Sequence, residues 1–128
     1  MTLEEHYINL THIAGTSAGA IVGALFTAGH SWTVILEFFK KVPIFDYKRY
    51  AYNKPGFIDT SKFYKDLSPF FIEDDFKSLK KQLYIPATNL IEGTERIFNE
   101  KELIKPILAS AAFPGLLTPM IIDNLPYV

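Results

Sequence analysis

Apolar and polar positions alternate from Tyr7 to Ile13, where Ile8 and Leu10 sit between polar neighbours and Ile13 precedes Ala14. That period of two predicts a strand ending at Gly15. The next run, Ser17 to Ala28, is apolar on every side, which predicts a helix buried in a larger core. Its small residues Ala18, Gly19, Ala20, Gly23 and Ala24 would let it approach a sheet closely. Gly29 ends this helix. Ser31 is the expected N-cap of a second one over Trp32 to Lys41, which stops before Pro43.

Phe45 to Ile58 is rich in aromatic and basic residues and breaks at Pro55-Gly56, so an irregular excursion is expected there. Thr60 or Ser61 caps a short helix through Leu67, and a further helix is expected over Phe76 to Lys81. Gln82 to Leu90 has the pattern of a strand with Leu83, Ile85 and Ala87 on one side. Gly93-Thr94 turns the chain into a second strand, Glu95 to Asn99. A helix then spans Lys101 to Ala112, with Pro106 near its first turn, where proline is tolerated, and Pro114-Gly115 ends it. Met120 to Ile122 is expected to be a strand, Asp123-Asn124 a turn, and Tyr127-Val128 the start of another strand. Strands alternating with helices give an α/β class, as a single domain over residues 1–128.

Composition narrows the functions. With 48% hydrophobic and 15% aromatic residues, this is a globular chain with material for one core. A formal net charge of −1 leaves no surplus of Lys and Arg for phosphate contacts, which argues against nucleic acid as the main partner. The lysines at Lys40-Lys41 and between Lys77 and Lys81 have acidic residues nearby and are expected on solvated helix faces. The absence of cysteine excludes disulfides, thiolate metal sites and cysteine nucleophiles. The acidic, polar opening Met1 to His6 is no secretory signal, so a cytoplasmic location is expected. Ile13 to Gly29 is uncharged, with Gly15, Gly19 and Gly23 at the spacing of transmembrane helix pairs. It is at the lower edge of the ~17–25 residues a span requires and opens with Gly-Thr-Ser, so it is expected as a tight turn followed by a buried helix.

That turn carries the chemistry. Gly15-Thr16-Ser17-Ala18-Gly19 is a Gly-x-Ser-x-Gly pattern lying between an expected strand and an expected helix. A nucleophile displayed above a strand end needs a turn so tight that neighbouring side chains would collide, and glycine on each side removes those collisions. The N–H groups that open the helix, beginning with Ala18, can then stabilise an oxyanion. The competing structural reading is that the glycines serve packing and Ser17 caps the helix. A serine nucleophile needs a base. His6 and His12 precede Ser17, and His30 is at the far end of a 12-residue helix ~18 Å long, so a Ser-His-Asp triad is not expected.

Leu3-Glu4-Glu5-His6 followed by Ile13 to Leu25 resembles the nucleophile block of patatin-like phospholipases. Ala109-Ser110-Ala111-Ala112-Phe113-Pro114-Gly115 with Pro119 is similar to that family's helix and proline-rich turn leading to its catalytic aspartate. Pro86-Ala87-Thr88-Asn89-Leu90 with Gly93 resembles its central strand and turn. The resemblance implies a partial three-layer α/β sandwich around a mixed, mostly parallel sheet. It implies a Ser-Asp dyad that hydrolyses acyl esters of lipids, with neither metal nor organic cofactor. Ser17 would be the nucleophile, with Gly15, Ala18 and Gly19 forming the elbow and oxyanion site.

This chain departs from the family pattern at both ends. No Gly-rich oxyanion turn lies upstream of Ser17, and no Asp-Gly-Gly or Asp-Gly-Ala follows Tyr127-Val128. Asp123 is the nearby candidate for the base, against a plain role as a turn residue, while Asp59, Asp66, Asp74 and Asp75 are expected to be solvated. A dyad without its base would be weakly active or inactive, and a missing edge strand would favour a homo-oligomer or a complementing chain. The alternative to an enzyme is a non-catalytic remnant that binds lipid or protein. Tyr47 to Tyr52 would then make peripheral membrane contact, or else form an ordinary surface loop.

Overall fold

The computed structural model describes residue 3 and residues 5–42, 60–112 and 118–128. The expected aromatic-basic excursion, Asp59 and the Pro114-Gly115 helix stop lie outside the described residues. Strand β1 (His12–Ala14) runs parallel to β2 (Gln82–Thr88), with Ile13 opposite Leu83. Strand β3 (Glu95–Phe98) pairs antiparallel on the other side of β2, with Ile85 opposite Phe98. The order is β1-β2-β3, so the strand with the clearest alternation is in the middle. Leu83, Ile85 and Ala87 are buried as their spacing predicts. A hairpin of β4 (Met120–Ile122) and β5 (Leu125–Tyr127) joins the end of β2 through paired backbone bonds between Thr88 and Val128, 2.6 and 3.0 Å. The sheet is therefore mixed, and among the described residues β1–β2 is its parallel pair.

Helix α1 (Ala18–Thr27) packs on β1 and β2 at Gly23, where an added Cβ would stand 3.1 Å from Leu83 Cδ1 and 3.4 Å from Ile13 Cγ2. Thr27 is buried in its last turn because its hydroxyl donates back to the carbonyls of Gly23 and Ala24, at 2.8 and 3.0 Å. Helix α2 (Trp32–Lys41) has the bounds its sequence predicts, and Gly29 (φ 97°) makes the turn between the two helices. Ser31 stands at the N-cap position but bonds Thr33 Oγ1 at 2.7 Å instead of capping the helix backbone. Phe38 of α2 joins Phe63 of α3 (Thr60–Leu67) and Phe70, with ring centroids 6.1 and 5.3 Å apart. Helix α4 (Ile104–Ala111) packs on β2 and α1 and buries Ile104, Ile107, Leu108 and Ala109. Each such large aliphatic side chain contributes roughly 1.5–3 kcal/mol. Helices α1 and α4 cover the Ile13-Leu83 face of the sheet, while His12 and Ala14 on the other face stay exposed, as in a partial sandwich.

Strands β2 and β3 end two residues and one residue earlier than expected, and three other elements are shortened more. The strand expected from Tyr7 begins only at His12, because its partner β2 starts at Gln82 and earlier residues have nothing to pair with. Residues 5–7 turn instead, and the Leu3 carbonyl accepts from the N–H of His6 and of Ile8 at 3.2 and 3.0 Å. The helix expected over Phe76 to Lys81 is a single 3-10 turn, Phe76–Ser78, whose N-cap Asp75 accepts from Lys77 N–H at 2.8 Å. The chain must then extend towards β2, and Lys80 N–H donates to the Thr27 carbonyl at 2.8 Å instead of to its own turn. Helix α4 starts at Ile104, not Lys101, because Lys101 has φ 65° and Asp74 caps the turn beyond it.

Candidate active site

The parallel pairing of β1 with β2 delivers the chain to the elbow, and its last bond is Gly15 N–H to the Tyr84 carbonyl at 3.0 Å. Beyond it the chain reverses into α1. At Gly15 an added Cβ would lie 2.2 Å from the Gly19 carbonyl oxygen, so only glycine fits beneath the first turn of the helix. Gly19 differs: a Cβ there meets nothing within 4 Å among the described residues. The collision argument for paired glycines therefore holds at Gly15 and not at Gly19.

Ser17 takes φ 54° and ψ −128°, a backbone region that L-residues rarely adopt. It is exposed, and its hydroxyl makes no capping bond to α1, so its Oγ is not spent on the helix end as the capping alternative requires. Ala18 is the first residue of α1, and its N–H belongs to the opening turn, whose donors have no intrahelical acceptor. The helix dipole adds positive potential at the same point.

The elbow is held from a distance. Ser17 N–H donates to Ser110 Oγ at 3.1 Å, and Thr16 Oγ1 is 3.3 Å from the same oxygen. Ser110 is half-buried on α4 beside buried Ala109 and Leu108. Helix α4 is anchored in turn at its other end. Asp74 Oδ1 accepts from Leu103 N–H at 3.0 Å and Ile104 N–H at 2.7 Å, and Asp74 Oδ2 accepts from the Tyr64 hydroxyl at 2.7 Å. That bond to a carboxylate, together with burial and the Asp74 charge, pushes the Tyr64 hydroxyl up to about 12. Asp74 is thus a structural cap and not a solvated carboxylate. Its signal was weak in the sequence because the amides that donate to it lie some thirty positions away. Ser110 had a readable signal: it is the one hydroxyl in the apolar run Ile107 to Ala112.

The structure does not gather the remaining candidates. Asp123 has φ 51° and Asn124 φ 63°, and together they form the two-residue turn between β4 and β5. The Asp123 carboxylate is exposed and pairs with Arg96 at 2.8 Å. His30 Nε2 bonds the Phe70 carbonyl at 2.6 Å, and His12 Nδ1 is 2.9 Å from Thr11 Oγ1. Neither imidazole bonds Ser17. Among the described residues no cluster of three or more His, Asp or Glu is arranged to hold a metal ion.

A strand, a strained serine turn and a helix that opens at Ala18 thus follow one another along the chain. The model of the patatin-like phospholipases matches residues 2–128. The chain belongs to the patatin-like phospholipase family. Membership makes it one of a family of lipid acyl hydrolases and accounts for the α/β class. For a patatin-like chain the spacing between Ser17 and the α4 block has a physical reading: the second block braces the first. Tyr47 to Tyr52, expected either to contact a membrane or to form an ordinary surface loop, lie outside the described residues. Among the described residues no helix is long and apolar enough to cross a membrane.

Proposed function

We propose that this chain is a serine acyl hydrolase of lipid esters that reacts through an acyl-enzyme on Ser17. The observation that carries this reading is the backbone of Ser17, φ 54°, on an exposed turn between β1 and α1, with its hydroxyl bonded to no group among the described residues. Ser17 Oγ attacks the ester carbonyl, and Ala18 N–H receives the developing oxyanion. The leaving alcohol departs, and water then releases the acid. A Ser-Asp dyad needs a carboxylate to take the Ser17 proton. We read Asp123 as a turn residue held by Arg96 and not as that base. With no carboxylate bonded to Ser17 among the described residues, the chain by itself is expected to hydrolyse esters weakly, because acylation and release of the acid both need that base.

A second reading, a lipid-binding module without turnover, is favoured by an apolar groove of about 740 Å³ lined by Leu3, Leu10, Val22, Phe26, Trp32 and Leu36. Acyl chains are the occupant such a lining suits. The two readings part in one experiment, hydrolysis of an activated short-chain ester by the parent and by Ser17→Ala. Loss of the reaction in the variant supports the enzyme. Equal rates in both, with binding to phosphatidylcholine vesicles that Trp32→Ser removes, support the module.

A further inference from the structure

We infer that Ser110 is the positioning residue of the nucleophile elbow. Its hydroxyl fixes the Ser17 backbone so that Ser17 Oγ is presented and Ala18 N–H remains the oxyanion donor. The inference rests on the reading of Ser17 as nucleophile.

Five observations carry it. Ser17 holds a positive φ without being glycine, and such a conformation persists only where its surroundings over-determine it. The surroundings here are few: the turn is exposed at Thr16, Ser17 and Gly19. The Ser17 amide must point away from the helix for the chain to make this turn, and it finds Ser110 Oγ 3.1 Å away. The same oxygen lies 3.3 Å from Thr16 Oγ1, so one hydroxyl gathers two consecutive residues of the elbow. Finally, Ser110 rides on a helix whose neighbouring residues are buried and whose first turn is capped by Asp74, so the anchor point is itself fixed.

The bond also divides labour between adjacent amides. The Ser17 N–H is occupied by Ser110 and is not an oxyanion donor, which leaves that task to Ala18 N–H at the helix start. Without the Ser110 hydroxyl, Ser17 can relax towards an ordinary φ, which turns its Oγ and re-aims the Ala18 amide together. Misplacement of a reacting group by about 1 Å costs on the order of 10²-fold in rate.

Ser110→Ala and Ser110→Thr decide the matter on the whole chain, with two readouts. The first is the rate of Ser17 modification by a fluorophosphonate, with the apparent affinity for the probe separated from the maximal rate. Ser110→Ala is expected to lower the maximal rate by about 10–100-fold with little change in apparent affinity, and Ser110→Thr to restore most of it. The second is hydrogen exchange at the Ser17 amide, which needs no activity: it is expected to quicken in Ser110→Ala and stay slow in Ser110→Thr, while the melting transition stays cooperative. Equal Ser17 amide exchange in the parent and in Ser110→Ala overturns the proposal, whatever the labelling shows. A parent that takes no probe while its Ser17 amide still depends on Ser110 sinks the nucleophile reading instead and leaves the anchor standing.

Discussion

Among the described turns that place non-glycine residues at positive φ, the hairpin and the elbow do so for opposite reasons. At the hairpin, Asp123 and Asn124 have φ 51° and 63°. These are the residue types that tolerate the left-handed region, in the two-residue connection that a twisted hairpin demands. The turn is exposed and made locally by three residues of ladder on either side, with the pair Ile122 and Leu125 closing it. At the elbow, Ser17 has a similar φ but little local reason for it. It is kept there by a strand that ends at Gly15, a helix that begins at Ala18, and a hydroxyl from Ser110, ninety-three positions away. One turn is comfortable by composition, the other only by tertiary structure. Strain of this second kind marks a site built for chemistry more often than one built for connection.

Substitutions should separate the two turns. The largest stability effect is expected at Gly15→Ala, where the new Cβ would lie 2.2 Å from a backbone oxygen. A loss of about 3 kcal/mol in chemical denaturation is expected. Gly19→Ala is the control and has the opposite sign, a gain of about 0.5–1 kcal/mol from helix propensity in open space. Equal losses at both would break the claim that only Gly15 is sterically required.

Next comes Asp74→Ala, which removes the acceptor for two α4 amides and for Tyr64 and is expected to cost roughly 1–3 kcal/mol. The same cluster gives a pH dependence. The Tyr64 hydroxyl is raised from 10.0 in the unfolded chain to about 12 in the folded one, chiefly by its bond to Asp74. A raised value means that its contribution is fully present below pH 10 and fades as pH rises towards 12. Thermal melts of the parent and Tyr64→Phe should therefore converge across that interval. Parallel curves would show that the phenol does not titrate in linkage with folding.

The smallest effect belongs to the hairpin. Asp123→Asn keeps a turn-forming residue and removes only an ion pair whose side chains are 42% and 60% exposed. A change of about 0.5 kcal/mol or less is expected, with Ser17 labelling unaltered. A loss of Ser17 reactivity in this variant would make Asp123 the base and overturn its reading as a turn residue.

The same contrast explains what was legible in the sequence. The strand expected over Gln82 to Leu90, observed as Gln82–Thr88, could be read because one strand face is buried and the other is not, so periodicity carries the information. The bounds of α2 could be read because Ser31 and Pro43 punctuate them locally. The elbow was legible as residue types at fixed spacing. What could not be read depends on partners far along the chain. Strand β1 is short because β2 begins where it does, the Phe76 turn is short because the chain must reach β2, and Asp74 is a cap only because α4 arrives beside it. Ser110 lies between these cases, a lone hydroxyl in an apolar helix whose partner no local pattern names.

The account rests on Ser17 being a reactive, presented nucleophile, and fluorophosphonate labelling followed by peptide mass spectrometry tests that most directly. The account predicts a single adduct on the peptide carrying Ser17, absent from Ser17→Ala. An unlabelled chain, or an adduct on Ser110 in its place, would contradict it.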